Sequence, residues 1–309
     1  MSVARRRPPR SGYCRVMAAV RGPGVVSQPG AVAVEPARRR VRVLAGGLWV
    51  ADSDEAMILF EHGFTPRWYL PVADSRADLL RENGRTTDTL GRGPARWFDL
   101  HLPDRVIVDA AWDHPDRPAG CPNLDGLISF EWNLMDAWFE EDDEIFVHPR
   151  DPYTRVDVLT SSRHVRVELQ GTTLADTTRP LIVLETTGPT RYYIPSLDVN
   201  HELLVPSESF TGCPYKGRAS YWHVRLGDTL YRDLFWSYPQ PFQPAARIAG
   251  HLCAFTEFVD ITVDGIAVDK PETKWTYNGP NAYTFRPGDQ PWDPTSDVAW
   301  HGAERSTHR

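Results

Sequence analysis

No run of eighteen or more apolar residues occurs in the 309-residue chain, so no segment reads as a membrane-spanning helix. Cysteine is scarce: Cys14, Cys121, Cys213 and Cys253 are the only four, and no two lie close enough to form a CxxC pair. That excludes the usual zinc signature and a disulfide framework. It suits a reducing, cytoplasmic setting, with neither a metal nor a cofactor expected. No GxSxG nucleophile elbow is present, and no glycine-rich phosphate cradle followed by paired carboxylates. Basic charge is short everywhere but the N-terminus. Residues 1–40 hold nine Arg and one acidic residue, Glu35, for a net +8; with −7 overall, residues 41–309 carry −15. An acidic body lacks the Lys and Arg that phosphate-backbone contacts require, so nucleic acid is not an expected partner.

What remains is the profile of a soluble globular protein, 41% hydrophobic and 24% charged, long enough for two domains with a core each. Residues 1–40, rich in Arg, Pro, Ala and Gly, read as a disordered leader outside the fold. The body repeats itself. A shift of 124 positions aligns Val41-Arg42-Val43 with Val165-Arg166-Val167, Ala51-Asp52 with Ala175-Asp176, and Glu61 with Glu185. It also aligns Arg67, Tyr69 and Pro71 with Arg191, Tyr193 and Pro195, Gly93 with Gly217, Trp112 with Trp236, and Asp136 with Asp260. About a quarter of some hundred positions are identical without a gap, against roughly one in sixteen from ordinary residue usage.

Each copy reads as short strands. Val165–Leu169 alternates apolar and polar residues. Leu181–Glu185, Arg191–Ile194, Ser220–Leu226 and Val259–Val263 are rich in β-branched and aromatic residues, and Asp264-Gly265 signals a hairpin turn. The best short helical candidate is Asp198–Leu204. The expected layout is a first β module over 41–144, degenerate at its site, a linker over 145–164, a second module over 165–272, and an irregular tail over 273–309. Glu140–Glu144 reads as a solvated edge, and Trp275, Trp292 and Trp300 are candidates to dock the tail. Packing of the two modules on each other is a further expectation.

The most distinctive stretch is Thr211-Gly-Cys-Pro-Tyr-Lys-Gly217, followed by Ala219-Ser-Tyr-Trp222. With Arg191-Tyr-Tyr-Ile-Pro195, Asp198, Phe235-Trp-Ser-Tyr-Pro239 and the joining segment 148–163, it resembles the domain of unknown function 427 family, whose members carry a CPYKG signature. The resemblance spans roughly residues 41–268. It implies a mainly β protein: two tandem, compact, antiparallel β domains of β-tent-like shape, without the zinc site of other tent-shaped modules. The label nucleotidyltransferase-like, sometimes given to the family, finds no support in the motifs of this chain.

Two chemistries remain open. Aromatics with polar tips plus one cation make the usual small-molecule pocket, and Tyr193, Tyr215, Lys216, Tyr221, Trp222, Trp236 and Tyr238 are the candidates to line one for a small organic or anionic ligand. Tyr221 and Trp222, being adjacent on a strand, face opposite sides. The alternative is a thiol-dependent enzyme in which Lys216, three residues from Cys213, lowers the thiol pKa, with His201 and His223 as candidate bases. The first copy has Thr89-Leu90-Gly91-Arg92 in place of Cys213-Pro214-Tyr215-Lys216, keeping a cation but no thiol. Glu61/Glu185, Asp52/Asp176 and Asp113-His114 match no metal-ligand spacing, and read as exposed or hydrogen-bonded groups.

Overall fold

Alternation dictates the inner strands. In Val41–Ala45 (β2), Val41, Val43 and Ala45 are fully buried while the residues between them are not, and Val165–Leu169 (β13) repeats the pattern. The computed structural model describes residues 26–186, 188–273 and 275–276; Cys14, Trp292 and Trp300 lie outside them.

The first module adds Val32–Pro36 (β1), Leu48–Ser53 (β3), Met57–Glu61 (β4), Arg67–Pro71 (β5), Leu80–Thr89 (β6), Gly93–His101 (β7), Val106–Asp113 (β8), Leu127–Phe130 (β9), Ala137–Glu140 (β10) and Asp143–Ile145 (β11). The second is built of Val156–Thr160 (β12), β13, Thr172–Thr177 (β14), Leu181–Glu185 (β15), Arg191–Pro195 (β16), Leu204–Cys213 (β17), Gly217–Leu226 (β18), Thr229–Ser237 (β19), His251–Ala254 (β20), Asp260–Val263 (β21) and Ile266–Ala267 (β22). The 124-residue shift carries β1 to β6 and β9 onto β12 to β17 and β20 with identical bounds. Each module holds a seven-stranded sheet, ordered β1-β4-β5-β9-β8-β7-β6 or β12-β15-β16-β20-β19-β18-β17. A four-stranded sheet, β11-β10-β2-β3 or β14-β13-β21-β22, accompanies it. The named pairings are antiparallel throughout.

The chain is thus mainly β, with two tandem antiparallel modules, and the helical elements named among the described residues are short 3-10 turns. Two of these, Ser196–Asp198 and His201–Leu203, occupy the stretch expected to be helical. Sheet faces are buried on both sides near the site. In β5, Trp68 and Leu70 belong to the main core of the first module, whereas Tyr69 points the other way, onto Leu59 and Leu124. Its counterpart Tyr193 is likewise fully buried.

The glycine shared at 93 and 217 has a steric cause. Both take positive φ (80° and 98°), and a Cβ on Gly93 would stand 2.3 Å from the carbonyl oxygen of Asp116. Gly93→Ala is therefore expected to cost about 2 kcal/mol or more. Gly47→Ala, also at positive φ but with nothing within 4 Å of its Cβ, should cost about 1 kcal/mol. Melting temperatures of the two variants check this; equal shifts would remove the steric explanation.

The structure moves two sequence boundaries. The expected leader contributes β1, paired along its length with β4, and the expected linker contributes β12, paired with β15. A lone strand carries no face-to-face periodicity that separates it from extended linker, so only its neighbour reveals it. Glu140 is 4% exposed and pairs with Arg39 and Arg150, so it is not part of a solvated edge, although Asp142, Asp143 and Glu144 are exposed. Of the tail, Trp275 packs edge-on to Phe255 with ring centroids 5.8 Å apart.

Candidate functional site

Four elements of the second module converge on one buried cluster. β15 ends at Glu185, β16 carries Tyr193, the β17–β18 turn carries Lys216, and the end of β19 leads through Trp236 to Tyr238. Lys216 is 7% exposed. Its Nζ donates to Glu185 Oε1 at 2.5 Å and stands 5.6 Å from the Tyr238 ring centroid. Trp236 Nε1 donates to the Tyr193 hydroxyl at 3.0 Å, with the two rings edge to face. Beside them the Tyr221 hydroxyl and Thr211 Oγ1 share a hydrogen bond of 2.8 Å.

Electrostatics here favour a charged lysine and neutral neighbours. Burial works against the Lys216 ammonium, but Tyr238, Glu185, Tyr193 and Cys213 outweigh it, and its pKa lies well above the ordinary lysine value. Burial raises the pKa of Tyr193 and Tyr238, and pushes Tyr221 up to about 12. The Cys213 thiol also lies above its usual range: desolvation raises it, Lys216 lowers it by less, and Glu185 raises it again. The cation expected to activate the thiol is held by a carboxylate. The expected bases are committed elsewhere, His223 to Asp233 (Nδ1 accepts from its N–H at 2.9 Å) and His201 to Ser196.

The first module holds the same constellation in a closed form. Arg92 Nη2 donates to Glu61 Oε2 at 2.8 Å, and its Nη1 to the Tyr69 hydroxyl at 3.0 Å. Trp112 Nε1 donates to the same hydroxyl at 3.1 Å. His114 stands where Tyr238 stands in the second copy. Desolvation, then the Arg92 charge, lowers its pKa to about 4, so the ring is neutral at physiological pH. Its Nε2 can accept the Tyr69 O–H at 3.1 Å while Nδ1–H faces the Pro94 carbonyl at 3.3 Å. Arg92 Nε aside, this network satisfies its members internally.

The second copy keeps donors to spare, although none of them is a buried atom left without a partner. Lys216 makes one hydrogen bond of the three it can donate, the Tyr193 hydroxyl accepts one without donating any, and the Tyr238 hydroxyl makes none among the described residues. Replacing guanidinium by ammonium and imidazole by phenol keeps the scaffold but leaves donors over.

Of the residues singled out in the sequence, Tyr193, Lys216, Trp236 and Tyr238 come together, with Cys213 and Tyr221 alongside. Tyr215 and Trp222 do not join them. The Tyr215 hydroxyl accepts the Asp151 N–H at 2.9 Å, and its ring meets His148 edge-on, so it secures the segment between the modules. Trp222 lies on the other face of β18, edge-on to His201. The residue that sequence reasoning missed is Glu185. The sequence presents it as an exposed or hydrogen-bonded carboxylate, and hydrogen-bonded it is. The signal was available: a Glu at 61/185 and a cation at 92/216 persist together in both copies.

A cavity of about 450 Å³ opens in the first module, walled by Leu80, Phe98, Leu127, Ile128 and the Arg96–Asp113 pair. Its charged groups are already matched: Arg96 to Asp113 at 2.6 and 3.0 Å, and Asp125 to Arg117 at 2.6 Å. Among the described residues no group of three or more His, Cys, Asp or Glu is placed to hold a metal ion, and no helix is long and apolar enough to cross a membrane.

Fold and site together define a tandem β protein in which each module encloses a cation–carboxylate–tyrosine–tryptophan cluster. The family described as Domain of unknown function (DUF427) matches it twice, over residues 33–141 and 157–265, and the chain belongs to that family. Both matches include the edge strands β1 and β12 in large part. No curated protein matches the chain.

Proposed function

We propose that the protein is a binding module, and that its second copy holds a small organic ligand through Lys216, Tyr193 and Tyr238. The observation that carries this is the contrast between the copies: one scaffold, tied through the Tyr69 hydroxyl into a shared hydrogen-bond network in the first and left with spare donors in the second. Donors with spare capacity in an otherwise buried cluster suit an acceptor brought from outside. Glu185 already balances the Lys216 charge, which favours a neutral oxygen acceptor, such as a carbonyl, over a full anion. The rings of Trp236, Tyr193 and Tyr238 are the apolar surface nearest such a ligand. Against catalysis stand the raised pKa of the Cys213 thiol and the other engagements of His201 and His223.

The test is a thermal-shift screen with amides, lactams and ketones, repeated on Tyr238→Phe and Lys216→Met. Tyr238→Phe removes a hydroxyl that supports nothing within the fold, so its melting temperature should match the parent. Its affinity for any hit should fall about tenfold, the worth of one buried hydrogen bond. Hits bound equally by both variants would place the ligand elsewhere. For the thiol, alkylation followed by mass spectrometry should give Cys213 a reactivity midpoint above the reference of roughly 8.5. A midpoint well below it would instead favour the enzyme.

A further inference from the structure

The repeat also supplies an internal control at a second position, the arginine two residues before Tyr193. In the second module Arg191 is 5% exposed and lies with its guanidinium 5.3 Å from the Trp236 ring centroid. It is saturated by the chain itself: Nη1 and Nη2 donate to the two oxygens of Glu257 at 2.7 and 2.8 Å, and Nη1 also to Thr256 at 2.6 Å. This is the fork-on-fork geometry by which arginine recognises a carboxylate.

The first module keeps the arginine and loses the carboxylate. Arg67, the counterpart of Arg191, sits over Trp112 as Arg191 sits over Trp236, at 5.6 Å. The position of Glu257 is taken by Asn133 and that of Thr256 by Trp132. The half-buried Arg67 side chain makes no hydrogen bond or ion pair with any described residue, beyond its stacking on Trp112. A cleft of about 80 Å³ opens beside it, bounded by Trp112, Trp132, Asn133 and Trp138, and closed from the linker side by Val147 and His148. Glu131 also borders the cleft, and its carboxylate forms no ion pair with Arg67.

We infer that Arg67 and the tryptophan-walled cleft around it form a binding site for a small carboxylic acid, whose carboxylate takes the place that Glu257 fills in the second module. An arginine that is stacked, fork-shaped and partly desolvated is pre-organised for a planar, bidentate anion. A cleft of this size admits a carboxylate and a short carbon stub, and the indole walls suit an apolar one. The site is independent of the Lys216 cluster, so either assignment can fail without the other.

The experiment follows the side-chain N–H signals of arginine by NMR on the full chain during titration with sodium propionate, with sodium chloride at matched ionic strength as control. The expected result is a saturable shift of the Arg67 Nε–H signal with propionate alone, assigned by its loss in Arg67→Gln. The decisive variant is Asn133→Glu, which restores the carboxylate the second copy uses. It should abolish the propionate response by at least about tenfold, the worth of a charge-assisted hydrogen bond, while raising the melting temperature. Equal shifts with chloride and propionate, or a response that survives in Asn133→Glu, would overturn the assignment. A melting temperature lowered by Asn133→Glu would show that the two arginines are not placed alike, and would overturn it as well.

Discussion

Replacing Glu257 by alanine is expected to lower the stability of the second module by about 3–5 kcal/mol. The Glu257 side chain is wholly buried and that of Arg191 only 6% exposed. Desolvation raises the Glu257 pKa, but hydrogen bonding and attraction from Arg191 and a hydrogen bond from Thr273 more than offset it, and the net pKa lies below the usual carboxylate range. Removing the carboxylate strands a guanidinium charge beneath Trp236 and Phe255, where water does not reach it. The loss is the penalty of an unpaired buried charge rather than the net worth of the pair. The double replacement Arg191→Met with Glu257→Leu should accordingly recover most of it. Denaturant unfolding, followed separately for each module because two-state behaviour is not assured in a tandem protein, measures both. A cost below about 1 kcal/mol for Glu257→Ala would mean that water screens the pair. Because the folded pKa is depressed, this stabilisation is present above the unfolded value of roughly 4.3 and is lost as pH falls through the folded one.

The first module should weaken in a different window. His114 has a folded pKa of about 4, against roughly 6.5 unfolded. Between those values the unfolded chain takes up a proton that the folded module refuses, so stability falls as the pH is lowered. The full contribution is present above roughly pH 6.5, and about 3 kcal/mol is gone by pH 4. His114→Gln keeps a neutral hydrogen-bonding group against Tyr69 without the titration, and should flatten that part of the profile. A slope across pH 4–6.5 that persists unchanged in His114→Gln would assign it to other groups. The two modules are thus predicted to acid-denature for different reasons, the second below roughly pH 4.3 and the first above it.

Much of this organisation is legible in residue order. The gapless shift of 124 residues predicts strand for strand what the second copy looks like, because a β register tolerates no slip once one face is buried. Asp264-Gly265 forms the turn it signals, with φ of 53° and 77°. The persistence of a cation at Arg92 where Lys216 stands proved to mark a shared cluster. Hidden from a linear reading were the partners. Glu185 meets Lys216 across 31 positions and Arg191 meets Glu257 across 66, and such distances close only when the strand order is known. Tyr215 and Tyr238 look equivalent as aromatics near one motif, yet one secures the inter-module segment and the other lies over Lys216.

By itself, then, the sequence determined the tandem β architecture, the register of the repeat and the family, since these depend on alternation, turn chemistry and identity at a fixed offset. Only the tertiary structure decided which charges are neutralised and which donors are left over. The reason is physical: hydrogen-bond saturation is settled by atoms brought within about 3 Å of one another by non-adjacent strands, and composition along the chain does not encode that distance.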